Sequence, residues 1–175
     1  MSEIREIAQL GAKVLRLHAQ TADIHSETTR KIIAELHTTL ASTQGVGIAA
    51  PQIGESTQII IVASRPTPRY PNAPYMPPTV MMNPRFSVLT ETQEKDWEGC
   101  LSVPSIRALV PRYTAIKIYY VDEQGVEQSA ELHDFVARVF QHEFDHLQGK
   151  VFLDRVESNQ DIFAESEYLK LIKTS

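Results

Sequence analysis

A chain of 175 residues, 42% hydrophobic and 22% charged, has the make-up of one ordinary globular domain and is too short for two full cores. Its formal net charge of −5 argues against the broad cationic surface of a nucleic-acid binder, and no apolar run reaches the roughly 18 residues of a membrane span. One cysteine, Cys100, rules out an intrachain disulfide and suits a reducing compartment, while charges break every apolar run of Met1–Gln20, so no secretory leader and a cytoplasmic location are expected.

From Ser26 to Thr43 the apolar positions Ile32, Ile33, Leu36 and Leu40 recur at helical spacing, which predicts a helix with Ser26 as its N-cap. Gly45 and Gly47 end it and open a different kind of segment. Gln58–Ala63 is a short β-branched run and reads as a buried strand. Residues 65–78 hold six of the ten prolines, which excludes helix or interior strand and predicts a surface loop inside one domain spanning residues 1–175. Val80–Met82 and Phe86–Thr90 read as strands around Asn83-Pro84. Thr114–Asp122 and Val126–Leu132 read as a hairpin turning at Glu123-Gln124-Gly125. Asp134–Gln148 then switches to a helical period, with Gly149 as the stop. A short tail, residues 154–175, carries Ile162, Phe163, Tyr168, Leu169 and Leu171 at spacings that allow a short amphipathic helix. The order predicts an α+β fold, antiparallel sheets around a central helix.

That central helix carries His142-Glu143-Phe144-Asp145-His146, an HExxH pattern. A helix advances about 100° per residue, so residues four apart lie nearly above one another. His142, His146 and Glu143 therefore share the apolar face with Val136, Val139 and Phe140, whereas Arg138, Gln141 and Asp145 fall on a polar flank. Two imidazoles and a carboxylate buried without partners would cost several kcal/mol, and a divalent cation compensates that cost. The pattern fits two metal-ligating histidines, with Glu143 beside the ion as general base.

A catalytic site of this kind wants a third protein ligand and one open position. The extended HExxHxxGxxH pattern fails here: Gly149 fits, but Phe152 stands where the third histidine belongs. Glu157, Glu165 and Glu167 are formally available as a downstream carboxylate ligand, which would make the protein a zinc endopeptidase of another class. Upstream, Cys100 in Glu98-Gly99-Cys100-Leu101-Ser102 offers a thiolate, a strong ligand for zinc or ferrous iron. A lone cysteine is otherwise a small buried hydrophobe.

Three segments resemble the signature motifs of peptide deformylases, in the same order. They are Gly45-Val46-Gly47-Ile48-Ala49-Ala50-Pro51-Gln52, then Glu98–Ser102, then Gln141-His142-Glu143-Phe144-Asp145-His146. The resemblance runs from about residue 8 to residue 153. It implies that Cys100, His142 and His146 hold one divalent cation, ferrous iron in the cell, with zinc, nickel or cobalt able to replace it in purified protein. It implies catalytic roles for Glu143 as base and for the Gln52 amide and the Leu101 backbone N–H as oxyanion donors. Glu98 is expected to pair with Arg112 or Arg107; a solvated surface glutamate is the alternative.

An extended peptide is expected beside Gly45, Val46, Gly47 and Gly99 as an added strand. Its methionine side chain would enter a pocket walled by Val46, Phe135, Val139 and the aliphatic stem of Arg138. The implied partners are formyl-methionine nascent peptides met at the ribosome exit, with no DNA and no membrane, and a monomer is expected. The proline-rich stretch is longer than the matching loop of compact bacterial members, and the C-terminal tail is distinctive. Both leave the three motifs untouched.

Overall fold

The structure is a computed structural model that describes residues 2–174; the ends of the expected 1–175 domain, Met1 and Ser175, lie outside the described residues. Ser26 caps α1 (Glu27–Ala41) by accepting from the Thr29 N–H at 3.0 Å. The chain then makes β1 (Gly47–Ala49), β2 (Ile59–Ser64), β3 (Met76–Val88), β4 (Gln93–Cys100), β5 (Val103–Tyr113), β6 (Ala115–Val121) and β7 (Glu127–His133). It continues into α2 (Asp134–Leu147), β8 (Ile162–Ala164) and α3 (Glu165–Lys173). All strand pairs are antiparallel and form a five-stranded sheet, β1-β2-β3-β6-β7, and a three-stranded sheet, β4-β5-β8.

The larger sheet is covered on both faces. Ile59 and Ile61 of β2 pack toward α1 with Ile32, Leu36 and Leu40, while Ile60 and Val62 pack toward α2 with Val136 and Phe140. This explains why β2 reads as an unbroken apolar run instead of an alternating one. Each of Ile59, Ile60, Ile61 and Val62 is fully buried, a contribution of about 1.5–3 kcal/mol per side chain.

The proline-rich stretch ends earlier than its composition predicts, because Met76, Pro77 and Pro78 already belong to β3. Strand β2 pairs β3 from Met76 to Met82, and β6 pairs it only from Met82 onward. Pro77, Pro78 and Pro84 therefore sit where β3 has a neighbour on one side only, so a missing N–H costs little. The two strands expected around Asn83-Pro84 are one strand with a bulge there, and Asn83 takes a left-handed φ of 49°.

Helix α2 lies between the two sheets. It starts directly from β7, with Asp134 at φ 49°, and ends at Gly149, φ 70°, where the Lys150 N–H returns to the Asp145 carbonyl at 3.0 Å. The polar flank assigned to Arg138, Gln141 and Asp145 is not at the surface: all three are buried. The smaller sheet covers that flank and meets it with polar partners. Arg138 donates to the carbonyls of Val110 (2.6 Å) and Glu94 (2.7 Å). The Gln141 amide exchanges two bonds with the Tyr113 backbone, and Asp145 accepts from Arg112 at 2.6 Å. Helical periodicity separates apolar from polar positions correctly here, yet both sets face protein.

The N-terminal segment crosses both motif regions as a strap. The Ala8 N–H donates to the Gln52 carbonyl (2.7 Å) and the Leu10 N–H to the Ser102 carbonyl (2.8 Å). Among the described residues, no helix is long and apolar enough to cross a membrane.

Candidate active site

Three elements converge on one point. Strand β4 ends in Glu98-Gly99-Cys100, and its register with β5 slips between Glu98 and Cys100, so Gly99 sits at an irregularity that re-aims the cysteine. Helix α2 supplies His142 and His146, whose ring centroids are 5.3 Å apart. The donor atoms of Cys100, His142 and His146 all lie within 4.8 Å of one another. Cys100 Sγ is 3.4 Å from His146 Nε2. A tetrahedral cation with sulfur at about 2.3 Å and nitrogen at about 2.1 Å holds such a pair roughly 3.6 Å apart, so the donor set fits one ion.

Thiol and imidazole are arranged as a thiolate–imidazolium pair, and a cation that binds these donors displaces the imidazole proton. Burial pushes the Cys100 thiol up, but the facing His146 and His142 imidazoles overcome it and hold the sulfur well below its ordinary value. Burial pulls His142 down, but Cys100 and Glu98 hold it well above its ordinary value. A sulfur ready to lose its proton between two imidazoles is a soft, anionic donor set.

Glu98 is neither surface-exposed nor paired with Arg107. Its carboxylate accepts from Arg112 Nε (2.9 Å) and Nη2 (3.0 Å) and from Arg138 Nη1 (2.8 Å). Its Oε1 also lies 2.8 Å from His142 Nδ1, which leaves the Nε2 side of that ring for the shared centre. Burial pushes the Glu98 carboxyl up, yet the Arg112 guanidinium and the His142 bond outweigh it and hold it far below the usual carboxylate range. A carboxylate that fixes the orientation of a ligand imidazole is a recurring feature of metal sites. The pairing with Arg112 is one of the two expected; the contacts to His142 and Arg138 span 44 and 40 residues and leave no local trace in the sequence.

Glu143 faces the same centre from one helical step away. Burial is the main cause that raises its carboxyl to about 7, and Oε2 is buried with no partner among the described residues. Gly47 of β1 lies against it: a Cβ on Gly47 would sit 2.5 Å from Glu143 Oε1. On the other side Gln52, buried, accepts from the Ala49 N–H through Oε1 (2.9 Å). Its Nε2 donates to Ser102 Oγ (3.1 Å) and points at Cys100 Sγ (3.6 Å).

A cleft of about 840 Å³ opens over this centre and is lined by every residue the sequence assigns to catalysis or substrate binding, Gly45, Val46, Gly47, Gln52, Gly99, Leu101, Phe135, Arg138, Val139 and Glu143. His146 is not part of the lining and lies fully buried behind it. β1 is the edge strand of the larger sheet, and the Val46 carbonyl is drawn inward by the Ala63 N–H at 2.7 Å. The downstream glutamates do not join the centre: Glu157 pairs with Lys95, Glu165 with Arg69 and Arg107, and Glu167 with Lys170.

Residues 4–161 match the sequence model of the polypeptide deformylase family. A "Peptide deformylase 2" from Nostoc sp. is 51% identical over 171 residues, 97% of this chain and 96% of that protein. The chain belongs to the polypeptide deformylase family. As a deformylase it is a hydrolase that removes the formyl group from the N-terminus of new polypeptides. A class I type b peptide deformylase from Acinetobacter baumannii, solved with Met-Ala-Ser bound, superposes with a TM-score of 0.85 at 40% identity and covers 89% of this chain and all of that one (100%). A peptide deformylase from Synechococcus elongatus in complex with actinonin superposes at 0.79 with 30% identity, over 99% of this chain and 91% of that one. These neighbours share the α+β architecture of antiparallel sheets enclosing α2.

Other cleft residues of this deformylase take places that the sequence does not assign them. Tyr70, from the proline-rich loop, stacks on Phe135 (centroids 4.5 Å) and donates its hydroxyl to the Trp97 carbonyl at 2.5 Å. Ser102 anchors the Gln52 amide. Arg69, Arg107 and Glu165 stand at the mouth. A tyrosine among prolines is the only sequence signal for the first; Ser102 belongs to the second motif, and Arg107 and Glu165 are candidates for other contacts, but nothing local marks the places these residues take in the cleft.

Proposed function

We propose that one catalytic domain hydrolyses formyl-methionine peptides with Cys100, His142 and His146 as cation ligands, Glu143 as proton carrier, and Gln52 and the Leu101 backbone N–H as oxyanion donors. The observation that carries this reading is the buried, unpartnered Glu143 Oε2 beside a ready three-donor set, at the floor of an open cleft. Bound there, a divalent cation supplies Lewis acidity, making water a stronger acid and polarising the formyl oxygen. Ferrous iron is the proposed occupant in the cell, and zinc, nickel and cobalt suit the same donors.

Glu143, raised to about 7 by burial, is poised to take a proton from water near neutral pH and return one to the departing amine. Gln52 is held from both ends, so its Nε2 is presented without reorganisation as charge develops on the formyl oxygen. Val46, Gly99 and the neighbouring glycines let an extended peptide approach edge-on, and Tyr70, Phe135 and Val139 wall the methionine pocket. Met-Ala-Ser, held by the Acinetobacter baumannii neighbour, is what formyl-Met-Ala-Ser becomes once the formyl group is gone. The proposed partners are nascent chains as they leave the ribosome.

The test is formate release from formyl-Met-Ala-Ser by protein prepared without oxygen, then chelated, then reloaded with ferrous, zinc, nickel or cobalt ions in turn. Turnover should vanish on chelation and return on reloading, and Glu143→Ala should bind the cation but not turn over. Undiminished turnover after chelation, or equal rates for Glu143→Ala and wild type, would overturn the assignment.

A further inference from the structure

The family match ends at residue 161, so β8 and α3 lie beyond it. Yet this segment is part of the cleft. β8 pairs with Ile106–Ala108 of β5, and Tyr168 of α3 is buried against Trp97 with ring centroids 4.8 Å apart. With α3 anchored in this way, Glu165, Leu169 and Ile172 line the same cavity as Glu143 and Gln52.

Glu165 gathers two arginines. Its Oε1 accepts from Arg107 Nη2 (2.9 Å) and Nε (3.3 Å), and from Arg69 Nη2 (2.6 Å), which reaches over from the proline-rich loop. The Arg107 guanidinium lies against Gly99: a Cβ there would fall 1.5 Å from Nη1, so a side chain at position 99 would displace the guanidinium from this place. Nη1 of Arg107 and the remaining N–H groups of Arg69 have no hydrogen-bond partner among the described residues. Arg65 also lines the mouth and is exposed. Three arginines and one carboxylate, Glu165, therefore line the rim, and two of the arginines pair with that carboxylate; Glu94 and Asp96 line the adjoining cavity behind Arg69 and Tyr70. Glu98 does not alter this balance, being buried and held by Arg112 and Arg138. A cationic rim on a chain of net charge −5 is a local exception that the overall composition does not predict.

The geometry points to an extended substrate subsite, built by α3 and the proline-rich loop, that favours acidic side chains at the second to fourth positions of the formylated peptide. This rests on the deformylase reading and on a peptide running past Gly99. Arg69 and Arg107 would contact the acidic side chain through their unused N–H groups. Glu165 is a positioning residue: it holds both guanidiniums at the rim.

The experiment compares kcat/KM for formyl-Met-Ala-Ser, formyl-Met-Ala-Asp-Ser and formyl-Met-Ala-Lys-Ser, and for the matching peptides with Asp or Lys second or fourth, at low and high ionic strength. Exposed pairs of this kind contribute little individually, so the expected preference for Asp over Lys is about threefold to fivefold at the best position at low salt, carried by KM. It should shrink toward unity at about 0.5 M salt. Arg69→Glu together with Arg107→Gln should abolish or invert it. Because the readout is a ratio within one protein, a variant with less folded enzyme lowers both rates and leaves the ratio interpretable. Equal rates for Asp and Lys peptides, a Lys preference, or a ratio unchanged in the double variant would overturn the subsite while formyl-Met-Ala-Ser is still turned over. If wild type turns over none of the peptides, the deformylase reading itself fails, and the subsite with it.

Discussion

Gly47 and Glu143, from the edge strand and the central helix, touch so closely that a methyl group at position 47 would lie 2.5 Å from the carboxylate oxygen and 2.8 Å from the side-chain Cγ. The glycine is required by close approach, since its backbone is ordinary β-strand. Gly47→Ala therefore pushes the proposed proton carrier off its place without touching a cation ligand. Displacement on the ångström scale costs about a hundredfold in rate. We expect kcat to fall by that order while cation content and the thermal unfolding midpoint stay near wild type; an unchanged kcat would show that Glu143 tolerates displacement.

Arg112 sits between two buried carboxylates, Glu98 and Asp145, and is itself buried. Arg112→Met leaves both acids facing one cation fewer in a dry environment. Removing one member of such a network destabilises by about 3–5 kcal/mol. Denaturant unfolding should show a loss of that size, larger than for Arg155→Ala, whose guanidinium is 42% exposed and whose partner Asp145 keeps Arg112. Similar losses for both variants would count against this ranking.

The same network sets the acid limit of the fold. Burial raises the Asp145 carboxyl, but Arg155 and Arg112 outweigh it, and Glu98 is likewise held low, chiefly by Arg112 against the push of burial. Both folded-state values lie below the unfolded ones, which are about 4. The stability they contribute is complete above that unfolded value and is lost as pH falls through the folded values. With the cation stripped, so that ligation plays no part, thermal midpoints should decline below about pH 4, and Asp145→Asn should make that decline shallower. A midpoint that rises on acidification would contradict the sign.

Tyr70 is the loop's contribution to the proposed methionine pocket, its ring on Phe135 and its hydroxyl on the Trp97 carbonyl. Behind it lies a second cavity of about 350 Å³, also lined by Tyr70 and Phe135. Tyr70→Ala should join the two spaces. The expected result is a higher KM for formyl-methionine peptides and improved relative turnover of formyl-phenylalanine peptides, measured as the ratio of kcat/KM values. An unchanged ratio would place the pocket wall elsewhere.

What the sequence disclosed follows from the range of the interactions. The α2 chemistry is legible because its proposed ligands are four residues apart on one helix, and α1 because Ser26 and a repeating apolar face are local signals. The β4–β5 hairpin was not read as such. Gln93–Gly99 is charged or polar except for Trp97 and Gly99, and Val103–Tyr113 contains two prolines and two arginines, Arg107 and Arg112, that serve side-chain ion pairs. Its buried side faces the polar flank of α2, so the usual alternation of apolar and polar residues is missing. Arg138 was assigned an apolar stem at the pocket wall; the structure adds a guanidinium that ties β4 and β5 to α2 across 28 to 44 residues. No spacing rule reports a bond of that length.

At Ala8 and Leu10 the strap braces Gln52 and Ser102 through main-chain N–H groups, and between them Gln9 adds one side-chain bond, from Nε2 to the Leu101 carbonyl at 3.3 Å. Alanine scanning is blind to the main-chain bonds of such a clasp, since every amino acid but proline carries the same donor. Sequence drift at these two positions can thus pass unnoticed by the reaction, while one proline at either would release the proposed oxyanion side of the site from a distance of more than forty residues along the chain, 44 from Ala8 to Gln52.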